Sequence, residues 1–204
     1  MSEDGAGGRE ARTHEVRAVF TDETITVYQA YGAGIAEPAL AAGRFVAPFK
    51  RTRMTWIKPS FLWMMYRCGW ATKTDQERVL AIDITREGFE WALGHACLSH
   101  FDRDRFTTET EWRDTLRSSP VRVQWDPDRD LDLQPLPRRA LQIGLSGEAV
   151  DRYVDDWITG IRDVTPLAGK VREATLTGDP ATAHELLPPE RPYPLPADLA
   201  ARIG

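Results

Sequence analysis

Alternation of apolar and polar residues is the clearest pattern along the chain, and it predicts a series of β-strands. The pattern is strongest in Val79-Leu-Ala-Ile-Asp-Ile-Thr85, where β-branched and other apolar residues face alternate sides. Further strands are predicted over 25–31, 54–57, 120–126 and 138–145. Pro127 is expected to end the strand that precedes it, because proline lacks the N–H group that a ladder needs.

Apolar residues at helical spacing predict the intervening helices. We expect helices over 35–42, closed by Gly43, over 60–69, over 86–97 with Thr85 as N-cap, and over 109–116. The longest pattern starts after Ser146, a candidate N-cap, and its apolar positions run from Val150 to Ile161. This last helix is expected to stop by Thr165-Pro166.

Helices mixed with strands in this order predict an α+β fold with mixed or antiparallel sheets and packed helices. The domain is expected to span 15–177, after a disordered tail over 1–14. From residue 178 six prolines in 27 residues predict a mostly irregular Pro-rich tail, with one helical turn near 198–202.

Charge and cysteine content narrow the class of protein. A net charge of −5 argues against a surface coated with basic groups for generic nucleic-acid binding. The two cysteines, Cys68 and Cys97, have no CxxC spacing and lie among apolar residues, so free buried thiols are expected. Without a signal peptide or a long apolar stretch, the sequence predicts a cytoplasmic protein with no membrane partner.

Common catalytic motifs are missing from the sequence. It contains no GxxxxGK[ST], GxGxxG or GxSxG pattern. His95 and His100 are five positions apart across a predicted helix end, which is poor spacing for one metal ion. No metal site is predicted.

The strongest functional signal is a basic aromatic segment, residues 50–70, which contains five cations, three tryptophans and a tyrosine. Arg and Lys neutralise phosphate, while Trp and Tyr stack on flat rings, so the segment favours a nucleotide or dinucleotide. A helix starting at Pro59-Ser60 would add free backbone N–H groups for an anion. The alternative is structural: the apolar middle, including Trp63, would be core. The expected site is then the rim, made of Lys50, Arg53, Thr55, Trp56, Lys58 and Arg67.

Residues from one strand after this segment and from one strand before it could complete such a site. Gln124, Trp125 and Asp126 stand near the end of a predicted strand, followed by Arg129. Tyr28 and Gln29 lie in the middle of the first predicted strand.

The segments ITVYQAY (25–31), RMTWIKPSFLWMMYR (53–67), ERVLAI (77–82), GFEWAL (88–93) and VQWDPDR (123–129) resemble the domain-of-unknown-function family forty-two ninety-one. The likeness runs from Val16 to about Val171. The family label implies no particular activity.

The order of elements is also similar, more distantly, to the ADP-ribosyltransferase superfamily. That resemblance implies a clamp on NAD in a cleft between two sheets, with three residues from separate elements. Tyr28 and Gln29 would take the first position, Thr55 or Ser60 the second, and Gln124 the third. The first strand has no His or Arg, and Gln124 stands where the superfamily has a catalytic Glu, so Asp126 is the alternative acid.

Three hypotheses follow from the residues and the resemblance. The first is a transferase that binds NAD and passes ADP-ribose to an acceptor, with nucleic acid among the candidate acceptors. The second is a non-catalytic nucleotide-binding or RNA-binding module that uses the same cleft. The third is a nucleic-acid enzyme in which His95 or His100 acts as acid or base.

Overall fold

Two β-sheets form the frame of the protein in a computed structural model that describes residues 14–204. The strands are β1 (Arg17–Ala18), β2 (Thr24–Tyr31), β3 (Thr55–Ile57), β4 (Arg78–Thr85), β5 (Ala96–Leu98), β6 (Val121–Arg129), β7 (Pro135–Leu145), β8 (Ile158–Asp163) and β9 (Arg191–Pro192). The helices are α1 (Ala33–Ala42), α2 (Phe61–Cys68), α3 (Arg86–Gly94), α4 (Glu109–Ser118), α5 (Glu148–Arg152), α6 (Thr165–Leu176), α7 (Pro180–Leu186) and α8 (Ala197–Ile203).

The strands divide into a three-stranded and a four-stranded sheet. The first has the order β2-β4-β8 and is antiparallel throughout. The second has the order β3-β7-β6-β5, with β5 parallel to β6 and the other pairs antiparallel. A small β1–β9 pair joins the two ends of the described chain. The α+β class with mixed sheets, expected from the sequence, is confirmed.

The two sheets meet where β2 approaches the end of β3. Tyr28 and Lys58 form an isolated antiparallel bridge, in which Tyr28 N donates to Lys58 O at 2.8 Å and Lys58 N donates to Tyr28 O at 3.3 Å. Alternation along β2 then sends neighbouring side chains to opposite faces. Tyr28 enters an apolar cluster with Phe61, whose ring centroid is 5.5 Å away, while Gln29 faces the other side.

Local chemistry explains most of the elements that the sequence predicts. Ser60 caps α2 by accepting from Trp63 N, and Gly69 ends that helix in the left-handed region at φ 60°. Thr85 caps α3 by accepting from Gly88 N, as expected. The helix predicted over 109–116 is α4, capped by Thr108.

One helix prediction is wrong in its second half. The segment after Ser146 is helical only to Trp157, with a π-helical turn over Tyr153–Trp157, and Ile158–Asp163 is strand β8. Ser146 does not cap the helix, since its hydroxyl donates to Pro120 O at 3.0 Å. Ile158 and Ile161 pair with Ile84 and Ile82 of β4, so tertiary strand pairing overrides the helical spacing.

Two element boundaries also differ from the predictions. Helix α3 ends at Gly94 rather than Cys97, because Ala96–Leu98 pairs with β6. Strand β6 continues through Pro127 to Arg129, with a register shift between those residues. A bulge is one of the places where a strand accepts proline.

The C-terminal segment is more ordered than its proline content predicts. Helices α7 and α8 and strand β9 cover much of it, and α8 includes the helical turn expected near 198–202. Helix α6, just before this segment, was not expected. Tyr193 and Ile203 are buried in the main core, so the segment beyond residue 178 is packed onto the sheets rather than mostly irregular. The disordered N-terminal tail expected over 1–14 falls, except for His14, on residues 1–13, which lie outside the described part of the chain.

None of the helices within residues 14–204 is long and apolar enough to cross a membrane.

Candidate functional site

Two adjoining pockets lie beside the bridge between the sheets, and together they are called the cleft. The large pocket, about 640 Å³, is lined by the end of β2, the loop before β3, and β3. The small pocket, about 490 Å³, lies between β3, α2, β6 and β7. Trp56, Lys58 and Arg67 line both pockets, so these three side chains stand at their junction.

The cleft brings together most of the residues that the sequence singled out. The large pocket contains Gln29, Lys50, Arg53, Thr55, Trp56, Lys58 and Arg67. The small pocket adds Gln124 and Asp126 to the three shared residues, along with Arg129. Segments distant in sequence, from β2, β3 and β6, therefore meet at one place.

Lys58 is the most unusual residue of the cleft. It is only 6% exposed, and its ammonium group donates one hydrogen bond, to Trp56 O at 3.2 Å. Within residues 14–204, no carboxylate forms an ion pair with it. Burial, together with the nearby positive charge of Arg67, lowers the pKa of Lys58 to about 7. Asp126 offsets this burial only in part and makes no hydrogen bond to the ammonium group, so an anion bound beside Lys58 would relieve more of the cost.

A polar network forms the floor of the large pocket. The Gln29 amide nitrogen donates to Thr55 Oγ1 at 2.6 Å and to Tyr31 Oη at 2.8 Å. Its amide oxygen accepts from Tyr153 Oη at 2.7 Å. Burial raises the pKa of Tyr31 to about 12, so this phenol stays a donor at neutral pH. Gln29 is held in one orientation, with both ends of its amide engaged.

Asp126 is the carboxylate of the small pocket. One of its oxygens accepts from Gln124 Nε2 at 3.0 Å and the other from Gln142 Nε2 at 2.5 Å. Two neutral amides fix the direction of the carboxylate without neutralising its charge. Gln124 and Asp126 lie two residues apart and therefore on the same face of β6.

The indole of Trp56 owes its position to a glycine on the neighbouring strand. Trp56 pairs with Gly144 of β7, and a Cβ atom on that glycine would lie 2.9 Å from Trp56 Cζ2. Only a residue without a side chain leaves the ring this room. Trp56 is half-buried and forms part of the wall between the two pockets.

Exposed cations border the cleft on the side of the large pocket. Lys50, Arg53 and Arg67 are all exposed and line it. Arg51, in the same basic run, instead holds both carboxylate oxygens of Asp155, at 2.5 and 2.7 Å. Within this basic run, Arg51 therefore forms an ion pair inside the protein, while Lys50 and Arg53 lie at the edge of the cleft.

Three predicted site residues lie outside both pockets. The side chain of Tyr28 is buried in the core, where burial raises its pKa, and only its backbone touches Lys58. Ser60 caps α2 and donates to Asp128 Oδ1 at 3.0 Å. Trp125 points to the opposite face of β6, where its indole N–H donates to Ile203 O at 2.7 Å. These positions follow from strand alternation and helix capping.

The start of α2 is also different from the anion site that the sequence suggested. Glu190, from the C-terminal segment, accepts from Phe61 N at 2.6 Å, and Ser60 accepts from Trp63 N. Two of the first N–H groups of this helix, those of Phe61 and Trp63, are therefore occupied by the protein's own side chains.

Residues that the sequence interpretation missed complete the cleft. Tyr31, Tyr153 and Gln142 position Gln29 and Asp126 through the hydrogen bonds described above. Gln142 is the cross-strand partner of Gln124, a relation that becomes visible only with the β6–β7 register. Tyr153 begins a π-helical turn, a distortion that often accompanies functional sites.

The histidines take no part in the cleft. His95 ends α3 and stacks on Trp91 at 3.9 Å, and neither His95 nor His100 lines either pocket. In the part of the chain from residue 14 onward, no group of three or more His, Cys, Asp or Glu side chains could hold a metal ion.

Fold and cleft together define an α+β protein with a basic, tryptophan-lined cleft between two sheets. The chain matches, over residues 15–193, the family described as Domain of unknown function (DUF4291). This match covers most of the chain, and the protein belongs to that family. No curated protein matches the sequence.

Proposed function

We propose that the cleft binds a nucleotide or dinucleotide, with NAD as the ligand that fits best, and that the protein is an ADP-ribosyltransferase-like transferase. The observation that carries the proposal is the buried Lys58 at the junction of the two pockets, which has no ion-pair partner among residues 14–204. A pyrophosphate would add negative charge beside Lys58 beyond the single carboxylate of Asp126.

The shape and lining of the cleft support a ligand of this kind. Both pockets fall within the range of roughly 300–1,000 Å³ that is typical of small-molecule sites. Lys58 and Arg67 are placed for the phosphates, with Arg53 and Lys50 at the outer edge. Trp56 offers an aromatic ring beside them for a base or a nicotinamide.

Asp126 gives the proposal its catalytic part. In ADP-ribosyl transfer the bond between nicotinamide and ribose breaks, and nicotinamide leaves with the bonding electron pair. Positive charge then develops on the ribose, and a fixed carboxylate stabilises it. Asp126, held by Gln124 and Gln142, takes this role and accepts the proton of the attacking acceptor group. Gln29 and Thr55, tied together on the floor, are polar contacts for the ligand.

Binding and turnover are tested with separate measurements. NAD should stabilise the protein by about 2.7 kcal/mol at a concentration about 100-fold above its dissociation constant. Released nicotinamide, followed by mass spectrometry, reports the reaction. Asp126→Asn should keep the NAD-induced stabilisation and lower nicotinamide release by roughly 100-fold or more. Asp132→Asn is the matched control, because Asp132 is exposed and lies outside the cleft.

The second candidate is a non-catalytic nucleotide-binding or RNA-binding module. It is favoured by Gln29, a neutral amide whose two ends are engaged within the protein, since a transferase of that superfamily would be expected to have His or Arg on this strand. NAD binding without nicotinamide release, in wild type and Asp126→Asn alike, would establish this candidate. A panel of NAD, ATP and short RNA with no shift in melting temperature would contradict both.

Two free, buried cysteines support the cytoplasmic location predicted from the sequence, since thiols stay reduced there.

A further inference from the structure

The small pocket differs from the large one in having an aromatic and cationic platform at its side. Tyr66, on α2, is 38% exposed, and its ring stacks against Trp63 with the centroids 5.1 Å apart. The guanidinium carbon of Arg129 lies 3.7 Å from the Tyr66 centroid. We call Trp63, Tyr66 and Arg129 the aromatic platform; all three line the small pocket.

Charge in the small pocket favours an anionic ligand. Arg67 and Arg129 contribute two permanent positive charges, against the single carboxylate of Asp126, and Lys58 adds a third below its pKa of about 7. Arg129 is bound by its own chain at one end, where Nη1 donates to Leu133 O at 3.2 Å. No carboxylate in the described chain forms an ion pair with Arg67 or Arg129. This local positive charge contrasts with the net −5 of the whole protein.

The position of the pocket assigns it a role in group transfer. The two pockets share Trp56, Lys58 and Arg67, so ligands bound in each would meet at that junction. Asp126 lies in the small pocket, next to the place where an acceptor hydroxyl would lose its proton. A donor in the large pocket and an acceptor in the small one is the arrangement that brings both reactants together.

We propose that the small pocket is the acceptor site and that it takes single-stranded nucleic acid, with a base against the part of Tyr66 that Trp63 and Arg129 leave exposed and its phosphates at Arg67 and Arg129. Exposed aromatic rings next to Arg side chains are the usual means of binding unpaired bases. A duplex keeps its bases stacked inside and cannot use the ring. The acceptor role rests on the proposed function, whereas the binding itself does not.

Fluorescence anisotropy with a labelled single strand of roughly 12 nucleotides tests the site without NAD. The single strand should bind, and an equally charged hairpin duplex should bind more weakly. Tyr66→Ala should weaken binding by about 5- to 150-fold, the loss typical of one stacked base. Tyr66→Phe, which keeps the ring, should bind as wild type does. Unchanged binding by Tyr66→Ala, or equal binding of the duplex, would overturn the proposal.

Salt dependence gives a second, independent readout. Arg67→Gln should reduce the slope of log K against log salt by about 0.7, the share of one phosphate contact on a single strand. Lys170→Gln removes the same charge from an exposed position of α6 that lies outside both pockets, and should leave the slope unchanged. A phosphopeptide that competes with the strand at equal concentration would contradict nucleic acid as the partner.

The same samples separate the two proposals. If NAD fails to shift the melt but Tyr66→Ala still weakens strand binding, the nucleic-acid site stands and the transferase function fails. If NAD binds and releases nicotinamide but no strand binds, the small pocket has another acceptor and this inference fails.

Discussion

Lys58 illustrates at the scale of one residue how a site can cost the fold stability. Its buried ammonium group has a single backbone acceptor, Trp56 O, and no ion-pair partner among residues 14–204. The residue type was predictable from the basic aromatic segment, but its burial was not. The sequence shows a lysine near tryptophans, whereas its burial becomes visible only in the structure, where its backbone pairs with Tyr28.

Lys58→Met should stabilise the protein at low pH, because the methionine has no charge to bury. The pKa of Lys58 falls to about 7 in the folded protein, so between pH 7 and the unfolded value near 10.5 only the unfolded chain holds this proton. The free energy of unfolding of the wild type therefore rises with pH over that window. The free energy of unfolding of Lys58→Met should exceed that of the wild type at low pH, and we expect this difference to shrink by about 2 to 3 kcal/mol between about pH 6 and about pH 9.

Urea denaturation of both proteins across this range measures the difference, and taking the difference cancels the groups they share. An advantage that stays constant with pH would contradict the lowered pKa. Nucleotide binding should be lost in the same variant, even where its fold is the more stable one.

At the scale of elements, prediction succeeded where local chemistry decides and failed where pairing partners decide. Ser60, Thr85 and Gly69 set helix ends through their own backbone and side-chain geometry, and the helix starting after Thr85 is confirmed. Ile158–Asp163 has helical spacing, yet it pairs with β4. The cleft shows the same division: Gln124 and Asp126 stood out in the sequence, but Gln142 depends on the β6–β7 register.

The contact between Glu190 and the start of α2 gives a prediction for this scale. Burial is the main cause that raises the pKa of Glu190 to about 8, against the opposing effect of the Phe61 N–H. From about pH 4.5 to 8 the folded protein holds a proton that the unfolded chain has lost, so the free energy of unfolding falls as pH rises. Glu190→Gln keeps an acceptor for Phe61 N without the titration.

Thermal denaturation near pH 5 and near pH 8 compares the two proteins. Glu190→Gln should match the wild type at the lower pH and be the more stable at the higher one. If the wild type instead became more stable relative to Glu190→Gln as pH rises, the start of α2 would favour the charged carboxylate.

At the scale of the whole molecule, the C-terminal segment packs against the four-stranded sheet. Its strand β9 also pairs with β1 near the start of the described chain. Ile203 is 1% exposed, and its carbonyl oxygen accepts from the Trp125 indole. Proline content predicted irregular structure here because composition reports local stiffness and not long-range contacts. The available signal was apolar residues within and after the prolines, Tyr193 and Ile203, both of which are buried in the main core.

Ile203→Ala should destabilise the protein by about 2 to 4 kcal/mol, since it removes a buried side chain from the main core. Leu176→Ala is the matched control: Leu176 is 76% exposed, and its loss should change the free energy of unfolding by about 0.5 kcal/mol or less. Chemical denaturation measures both. Equal, small effects of the two substitutions would mean that α8 is not part of the cooperative fold.

The bridge between Tyr28 and Lys58 has a consequence for how the protein resists proteolysis. Each sheet has its own complete ladder of hydrogen bonds, but the cleft exists only while the sheets stay together. A ligand lying across both would act as a clasp, since separation of the sheets would first require its release. Occupancy of the cleft by such a ligand should therefore lower the rate at which proteases cleave the opened chain.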